Sequence, residues 1–307
     1  MIWMLGGIVL AGMTACSRDD DEATKVPDSI TKVSNDSVKV RRLTITEMDN
    51  GAAARQALTR ATLTEGDGLT ASWRAGDVLS YCNLSYPWDE IGLEKPYSGP
   101  LTAASTAATS QFTGDVECRV NDNLAVVYPA TTFETDESYT ISLTGQDGTL
   151  ATLASTFHYV YGLAHVISVT DHTAEATMVK MKSLLTVCKF SFVDQATSLA
   201  IPIQTLTISY GGDGQSDAGT YPQSATVAIS DDTAPENVHA SGVTGSTPLT
   251  ITATGQTEVF VALLPTAAKR TFIFTVTNGS GTYTGSAKAW LKEGEYVVAT
   301  GLELTKQ

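Results

Sequence analysis

Short runs of alternating apolar and polar residues, rich in Thr, Val, Ile and Tyr, occupy the chain from residue 37 onward. A period of two places alternate side chains on opposite faces of a β-strand, and Gly, Pro, Asn and Asp between the runs are typical of turns. The clearest run puts Phe272, Phe274 and Val276 on one face and ends at the hairpin dipeptide Asn278-Gly279. The pattern therefore predicts an all-β protein.

About fifteen strands are predicted, which is more than one sandwich of ordinary size contains. We expect two tandem transthyretin-like β-sandwich domains, an N-terminal one over residues 37–177 and a C-terminal one over residues 178–307, divided in the polar stretch 170–176. Helical patterns are confined to residues 52–58 and 103–109 and amount to a turn or two each. The predicted strands are residues 37–48, 69–73, 77–82, 111–118, 124–128, 139–143, 157–169, 178–193, 204–210, 225–230, 249–254, 258–263, 271–277, 281–289 and 296–304.

Residues 1–15 form an apolar segment that is too short to span a bilayer comfortably and ends in small residues directly before Cys16. This order is typical of a lipoprotein signal peptide, although no basic residue precedes Arg18. We expect cleavage before Cys16 and acylation of the new N-terminal cysteine, which would anchor the protein to the outer membrane by lipid. The alternative interpretation is a buried apolar strand with an isolated cysteine.

Residues 16–36 are polar, contain Pro27 and are predicted to form an acidic flexible tether. The run SRDDDE at residues 17–22 resembles the acidic export tag of surface lipoproteins in gut and oral Gram-negative anaerobes. That resemblance implies a lipoprotein that faces outward from the cell. The simpler interpretation of the run is a solvated linker.

The net charge of −14 argues against a nucleic acid partner and against electrostatic attachment to anionic lipid. If Cys16 carries lipid, Cys82, Cys118 and Cys188 remain, and an odd number of cysteines cannot all pair internally. Export would permit a Cys82–Cys118 bridge. Cys188 shares a strand face with Phe190 and is interpreted as a small core residue.

Four features, in this order along the chain, carry a family resemblance. The first is Cys16 with the acidic run behind it. The second is LTRA at residues 58–61, followed by WRAGD at residues 73–77, where the Gly-Asp step feeds a strand. The third is MKSLLTVCKF at residues 181–190, and the fourth is WLKEGEY at residues 290–296, which leads into a closing strand. Together they resemble the fimbrillin family, the two-domain pilins and surface lipoproteins of those same anaerobes.

The resemblance implies a pilus subunit that assembles by protease-triggered strand exchange and serves cell adhesion. A protease would cut between Arg60 and Ala61 and remove the first strand, residues 37–48, together with the lipid. The opened groove would accept a strand from another pilin subunit, because an added strand satisfies unpaired backbone groups and apolar pockets together. Arg55 lies close by and would be as accessible, and the alternative is that Arg60 is an ordinary loop arginine.

The sequence stops at residues 302–307, at the end of the closing strand, and we find no further alternating segment in it for a C-terminal donor. A subunit with a groove but no donor can end a fibre but cannot extend it in both directions. We therefore expect a terminal (tip) or accessory pilin at the cell surface or in the fimbrium. The alternative is a surface lipoprotein that does not polymerise and binds a glycan or protein on a host or bacterial surface.

The ligand-binding candidates are Tyr86, Trp88 and Tyr97, which lie in a segment with two prolines. Aromatic rings on a surface loop suit stacking on sugars or anchoring of a protein partner. The other interpretation is that these rings close the end of the sandwich. Trp73 and Trp290 are expected to fill the core.

An enzyme is not expected. Three histidines recur every seven residues from His158 to His172, but on a strand this odd spacing puts neighbours on opposite faces. Ser216 misses a GxSxG elbow by one residue, and Asp213 and Asp217 are too few acidic ligands for a calcium loop. The sequence has no phosphate loop, dinucleotide fingerprint or zinc motif. We therefore predict no catalytic residue, no metal and no cofactor.

Overall fold

The computed structural model describes residues 38–47, 62–66, 68–85, 97–212, 214–229, 234–243 and 245–307. Nineteen strands lie in this part of the chain, and the all-β class predicted from the alternating pattern is confirmed. Helical structure in the described residues is limited to α1 (Leu150–Thr152), a π-helical turn (Leu153–Phe157) and a 3₁₀ turn (Pro235–Asn237). The strands of the first half are β1 (Lys39–Glu47), β2 (Thr62–Glu65), β3 (Leu69–Ser72), β4 (Val78–Asn83), β5 (Ser98–Ala103), β6 (Gln111–Cys118), β7 (Asn123–Tyr128), β8 (Ser138–Ser142), β9 (Val160–Val169) and β10 (Thr173–Ser183). Those of the second half are β11 (Thr186–Asp194), β12 (Thr205–Tyr210), β13 (Ser224–Ala228), β14 (Ala240–Gly242), β15 (Leu249–Thr252), β16 (Glu258–Leu263), β17 (Arg270–Asn278), β18 (Gly281–Ala289) and β19 (Tyr296–Lys306).

Seven strands of the first half close into a barrel in the order β1-β10-β9-β7-β4-β5-β6, with β1 paired to β6. Closure is possible because alternate side chains of each strand are apolar and point inward. On β6, Phe112 and Val116 are buried, whereas Gln111 and Asp115 are exposed. The barrel interior is formed mainly by Leu43, Ile45, Trp73, Leu79, Tyr81, Leu101, Phe112, Val116, Leu124, Val126, Tyr128, Val160, Val166, Met178 and Met181.

The second half is a β-sandwich. Its two sheets, β15-β12-β17-β18 and β19-β11-β16, are joined at one end of β18 and β19. There, residues 283–284 pair with residues 305–306, and the Gln307 N–H donates to the carbonyl oxygen of Thr282 at 2.9 Å. The sheets face each other across a shared aromatic core, since the ring centroid of Phe274 on β17 lies 5.1 Å from that of Phe190 on β11. The junction therefore lies at one corner of the sandwich.

A third sheet, β14-β13-β8, joins the two halves, because β8 belongs to the first half and β13 to the second. The core of the sandwich also includes Leu153, Phe157 and Tyr161 of the first half. The buried side chain of Gln146 adds a polar tie. Its amide donates to the carbonyl oxygen of Ala262 at 3.1 Å and accepts from the Ala262 N–H at 2.7 Å. The halves are thus joined by shared packing.

The chain passes from the barrel to the sandwich between β10 and β11. The boundary expected near residue 177 lies inside β10, and the predicted strand over residues 178–193 is two strands. Met181 points into the barrel interior, whereas Leu184 and Leu185 belong to the sandwich core. Because both cores are apolar, the hydrophobic pattern continues from β10 into β11. No turn residue in the sequence marks the passage from the barrel to the sandwich.

Most other predicted strands are found within a few residues of their expected bounds. The hairpin at Asn278-Gly279 is confirmed, with Asn278 paired to Gly281 and the predicted face of β17 buried. The helical turn expected at residues 103–109 is wrong, because β5 ends at Ala103 and bends follow. The other expected helical turn, at residues 52–58, lies outside the described residues.

The two tryptophans expected in the core have different surroundings. Trp73 is fully buried in the barrel interior, where its ring packs edge-on against Phe112 at 5.0 Å, as predicted. The prediction for Trp290 is wrong, because this residue is 55% exposed and its Nε1–H donates to the carbonyl oxygen of Thr266. The neighbouring Leu291, which is buried, takes the core position instead.

The three cysteines of the described chain are buried, and none of them forms a disulfide. The Cys82–Cys118 bridge considered from the sequence is wrong, because Cys82 faces the sandwich core and Cys118 faces the barrel interior. Burial raises the pKa of the Cys82 thiol to about 12. Cys188 is a core residue of the sandwich, as predicted.

Candidate strand-exchange site

β1 lies in the barrel between β6 and β10. Its residues 39–46 pair antiparallel with residues 111–118 of β6, and its residues 42–47 pair parallel with residues 173–178 of β10. A strand paired on both sides has its backbone N–H and C=O groups satisfied by its neighbours. Removing β1 would therefore leave two unpaired strand edges, one on each side of an empty position.

The inward side chains of β1 fill the barrel interior. Leu43 and Ile45 are fully buried among the other apolar side chains. Arg41, on the same face, is 2% exposed. Its Nε–H donates to the carbonyl oxygen of Thr170 at 2.7 Å, and its Nη1 donates to the carbonyl oxygen of Cys118. β1 thus contributes two apolar side chains and one hydrogen-bonded guanidinium.

Two exposed side chains of β1 form ion pairs. Lys39 lies 3.0 Å from Asp171, and Arg42 lies 3.3 Å from Asp115. The hydrogen bond from Lys39 lowers the pKa of Asp171. Water and salt screen such pairs, so they contribute little to holding the strand. The inner face of β1 therefore dominates its attachment to the barrel.

The predicted processing residues lie beyond the ends of this strand. Cys16, Arg60 and Ala61 are outside the described residues, so lipidation and cleavage stay predictions. Two of the three ligand-binding candidates, Tyr86 and Trp88, are outside the described residues as well. The described chain resumes at β2, directly after the predicted cleavage point.

Glu65, at the end of β2, attaches this strand to the sandwich. Its Oε1 accepts hydrogen bonds from Lys189 Nζ on β11 at 2.9 Å and from the Tyr296 hydroxyl on β19 at 2.8 Å. Lys189 Nζ also lies 3.1 Å from Glu258 on β16. The hydrogen bonds from Lys189 and Tyr296 lower the pKa of Glu65. A chain that began at Ala61 would keep these contacts.

Tyr97 is the one ligand-binding candidate within the described residues. It is half-buried, and its carbonyl oxygen accepts a hydrogen bond from the backbone N–H of Asn83 at 2.8 Å. Tyr81, on the adjacent strand β4, is buried and donates its hydroxyl to Glu117 at 2.7 Å. The backbone of Tyr97 is therefore fixed to β4.

The polar residues considered for catalysis or metal binding have separate surroundings. His158 is buried just before β9, whereas His165 is exposed on β9 and lies 3.1 Å from Asn123. Asp217 forms an ion pair with Arg270 at 2.7 Å. Within the described ranges, no group of three or more His, Cys, Asp or Glu residues is suited to hold a metal ion.

Sequence reasoning missed Arg41 and the contacts of Glu65. The alternating pattern of β1 held the signal for Arg41, because a period of two puts it on the same face as Leu43 and Ile45. The sequence contains no signal that places Glu65 beside Lys189, since the two residues are brought together only by the packing of β2 on the sandwich.

The fold is similar to that of a candidate cell adhesion protein. A crystal structure of a candidate cell adhesion protein from Bacteroides uniformis matches 87% of this chain and 96% of its own, with a TM-score of 0.51 and 15% identity. A candidate cell adhesion protein from Bacteroides eggerthii matches 87% of this chain and 88% of its own, with a TM-score of 0.42 and 12% identity. The shaft pilin SpaA of Lactobacillus rhamnosus GG matches 88% and 98%, with a TM-score of 0.35 and 10% identity. The first of these similarities shows the fold.

No protein-family model matches the sequence, and no curated protein matches it. The fold likeness to the candidate adhesion protein of Bacteroides uniformis is consistent with the fimbrillin-like resemblance found in the sequence. Among the described residues, no helix has the length and apolar character needed to cross a membrane.

Proposed function

We propose that this chain is a cell-surface subunit of a pilus or adhesion fibre, at a terminal or accessory position, in which β1 is exchanged for a strand of a partner subunit. Cys16 would carry the lipid anchor in the outer membrane. Cleavage between Arg60 and Ala61 would release residues 16–60 with the lipid. The subunit acts by binding, and the proposal assigns it no catalytic reaction.

The position of β1 in the barrel carries the proposal. One strand joins β6 to β10, so its departure opens the barrel at one place only. The opened position has unpaired edges and the pockets that Leu43 and Ile45 occupied. A donor strand with apolar side chains at alternate positions would restore both ladders and fill both pockets.

The fold likeness to the candidate adhesion protein of Bacteroides uniformis supports assembly or adhesion as the role. The fimbrillin resemblance of the sequence supports the same role and supplies the cleavage point. Because one fold can serve several functions, the deciding test is whether the barrel accepts a new strand after cleavage.

The test uses limited digestion with a trypsin-like protease, followed by heating. The cleaved protein should release residues 16–60 and unfold at a lower temperature than the parent, since apolar surface and backbone groups are exposed together. A peptide copying β1 should restore the midpoint, because a ligand that binds only the folded state stabilises it. The same peptide with Asp in place of Leu43 and Ile45 is the matched control. An Arg60→Gln variant should resist release, and an Arg55→Gln variant should not.

Three results distinguish the possible roles. Peptide capture without self-assembly supports a terminal or accessory subunit. Long homopolymers after cleavage would show a shaft subunit, with β19 as a possible donor. A stable monomer that captures no peptide would overturn strand exchange and leave the alternative, a surface lipoprotein that binds glycan or protein through residues such as Tyr86, Trp88 and Tyr97.

A further inference from the structure

β18 and β19 separate along one side of the sandwich. Their ladder consists of two residue pairs near one end, and no further pairing joins these two described strands beyond Thr284. β18 pairs along its whole length with β17 on its other side, and β19 pairs with β11. Residues 285–289 and residues 296–302 therefore form two strand edges that face each other without a strand between them.

Gly285 lies where the two strands begin to separate. A Cβ atom at this position would lie 2.7 Å from the carbonyl oxygen of Glu303 and 2.7 Å from a side-chain carbon of Leu304. The absence of a side chain lets the backbone of β19 approach β18 closely at the paired end. Beyond this point the opening widens toward the loop between the two strands.

The opening is a cleft of about 270 Å³ with almost entirely apolar walls. Ala287 and Ala289 on β18 line one wall, and Val297, Ala299 and Leu302 on β19 line the other. Rings of the sandwich core, including Phe190, Phe272 and Phe274, form its floor. The small alanines leave space beside both edges, so the cleft suits medium-sized apolar side chains.

Two residues that are next to cleft-lining positions in the sequence have exposed apolar side chains. Trp290, directly after β18, is 55% exposed, and its Nε1–H donates to the carbonyl oxygen of Thr266 at 2.9 Å. Val298 on β19 is 54% exposed. Tryptophan is among the residues that most often dominate the binding energy of protein interfaces.

We infer that this cleft is a second strand-acceptor site, which takes an extended segment of another polypeptide with apolar side chains at alternate positions. An extended backbone can form ladders with two facing strand edges, and its alternate side chains can enter the apolar cleft. The length of the edges fits a strand of about five to seven residues.

Each described strand of this chain already belongs to a ladder, so none of them is left over to fill the cleft, and we assign the occupant to a partner. The polar residues 16–36 of the tether do not match the apolar walls. Unlike the position of β1 in the barrel, this site is not filled by any described residue of the uncut chain. The inference therefore goes beyond the proposed function and does not depend on cleavage at Arg60.

The experiment measures binding of a fluorescent nonapeptide, in which four valines alternate with threonines between lysine ends, to the full uncut chain. Fluorescence anisotropy should show saturable binding, and hydrogen exchange should slow in residues 285–289 and 296–303. Ala287→Arg should weaken binding by about tenfold or more, because it places a charge in the cleft. Ser286→Arg, on the exposed face of β18, is the matched control and should bind like the parent. A peptide with N-methylated alternate amides should bind weakly, since it cannot form the ladders.

Ala299→Arg, on the opposite wall, provides a second test if Ala287→Arg does not fold. No binding to the folded parent below about 1 mM, or equal binding by the parent and both cleft variants, would overturn the inference. Dimerisation of the parent that Ala287→Arg abolishes would also overturn it, because the occupant would then be a second copy. Peptide binding to the uncut chain cannot be attributed to the barrel, because β1 is still in place there. The peptide-binding test and the cleavage test can therefore fail independently of each other.

Discussion

The barrel and the sandwich differ in how completely their strands are paired at the two candidate sites. In the barrel, β1 pairs with β6 on one side and with β10 on the other, so no strand edge is open beside it. In the sandwich, β18 and β19 meet at one corner and separate beyond it, which leaves two edges and an apolar cleft. Closed sheets resist strand addition, and open edges favour it. Under the two proposals above, the barrel accepts a new strand only after losing β1, whereas the sandwich accepts one as it stands.

The largest effect is expected from Trp73→Ala, which tests whether the barrel unfolds separately from the sandwich. Because Trp73 is fully buried among the barrel rings, we expect the substitution to lower the free energy of unfolding by about 3–5 kcal/mol. Urea denaturation measures this loss, and hydrogen exchange should locate the greatest loss of protection in the barrel strands. Equal loss throughout both halves would show that the barrel and the sandwich unfold as one unit.

Arg41→Met tests how firmly β1 is held. The substitution keeps much of the side-chain volume but removes hydrogen bonds to the carbonyl oxygens of Thr170 and Cys118. We expect a loss of about 1.5–3 kcal/mol, because hydrogen bonds that involve a charged group are stronger than neutral ones. Urea denaturation measures it, and release of β1 after cleavage should become faster. Arg42→Met, on the exposed face of the same strand, is the control, and an equal effect from both variants would contradict this role of Arg41.

Trp290→Ala is the counterpart of the Trp73 substitution in the sandwich. Trp290 is more than half exposed and is held mainly by one hydrogen bond to Thr266. We expect a loss of at most about 1 kcal/mol, measured by urea denaturation. A loss as large as that of Trp73→Ala would mean that the ring supports the sandwich core.

The smallest expected effect is that of Glu65→Gln, which tests the contact between β2 and the sandwich. Hydrogen bonds from Lys189 and Tyr296 hold the pKa of Glu65 below its ordinary value of 4.5. A carboxyl group whose pKa is lowered by folding stabilises the protein above its ordinary pKa, and this contribution is lost as the pH falls through the folded value. The melting temperatures of parent and variant should therefore differ slightly at pH 7 and converge below pH 4.5. A difference that does not change with pH would exclude this linkage.

The sequence predicted local structure better than strand partners. The alternation of Phe272, Phe274 and Val276 and the turn at Asn278-Gly279 predicted the β17–β18 hairpin, because both signals act between neighbouring residues. The parallel pairs β1–β10 and β11–β19 join strands that are distant in the chain. Periodicity identifies the buried face of a strand but not its neighbour, so neither pair could be predicted.

At the candidate sites, too, the sequence predicted local features but not the contacts between distant residues. The strand β1 and the burial of Trp73 were predicted from local patterns. Trp73 and Trp290 both precede a Gly-containing turn that leads into a strand, and the sequence does not show that Leu291 fills the core in place of Trp290. The cleft between β18 and β19 was not predicted, because it results from the divergence of two strands whose sequences both alternate normally.

The parallel pairing of β11 and β19 has a mechanical consequence. Tension applied between the start of β11 and the end of β19 pulls two parallel neighbours in opposite directions along their common axis. Their hydrogen bonds lie across that axis, so the load falls on all of them at once in shear. A hairpin pulled at its open end breaks one bond after another. The sandwich can thus resist a stretching force applied along the chain, with β19 under load.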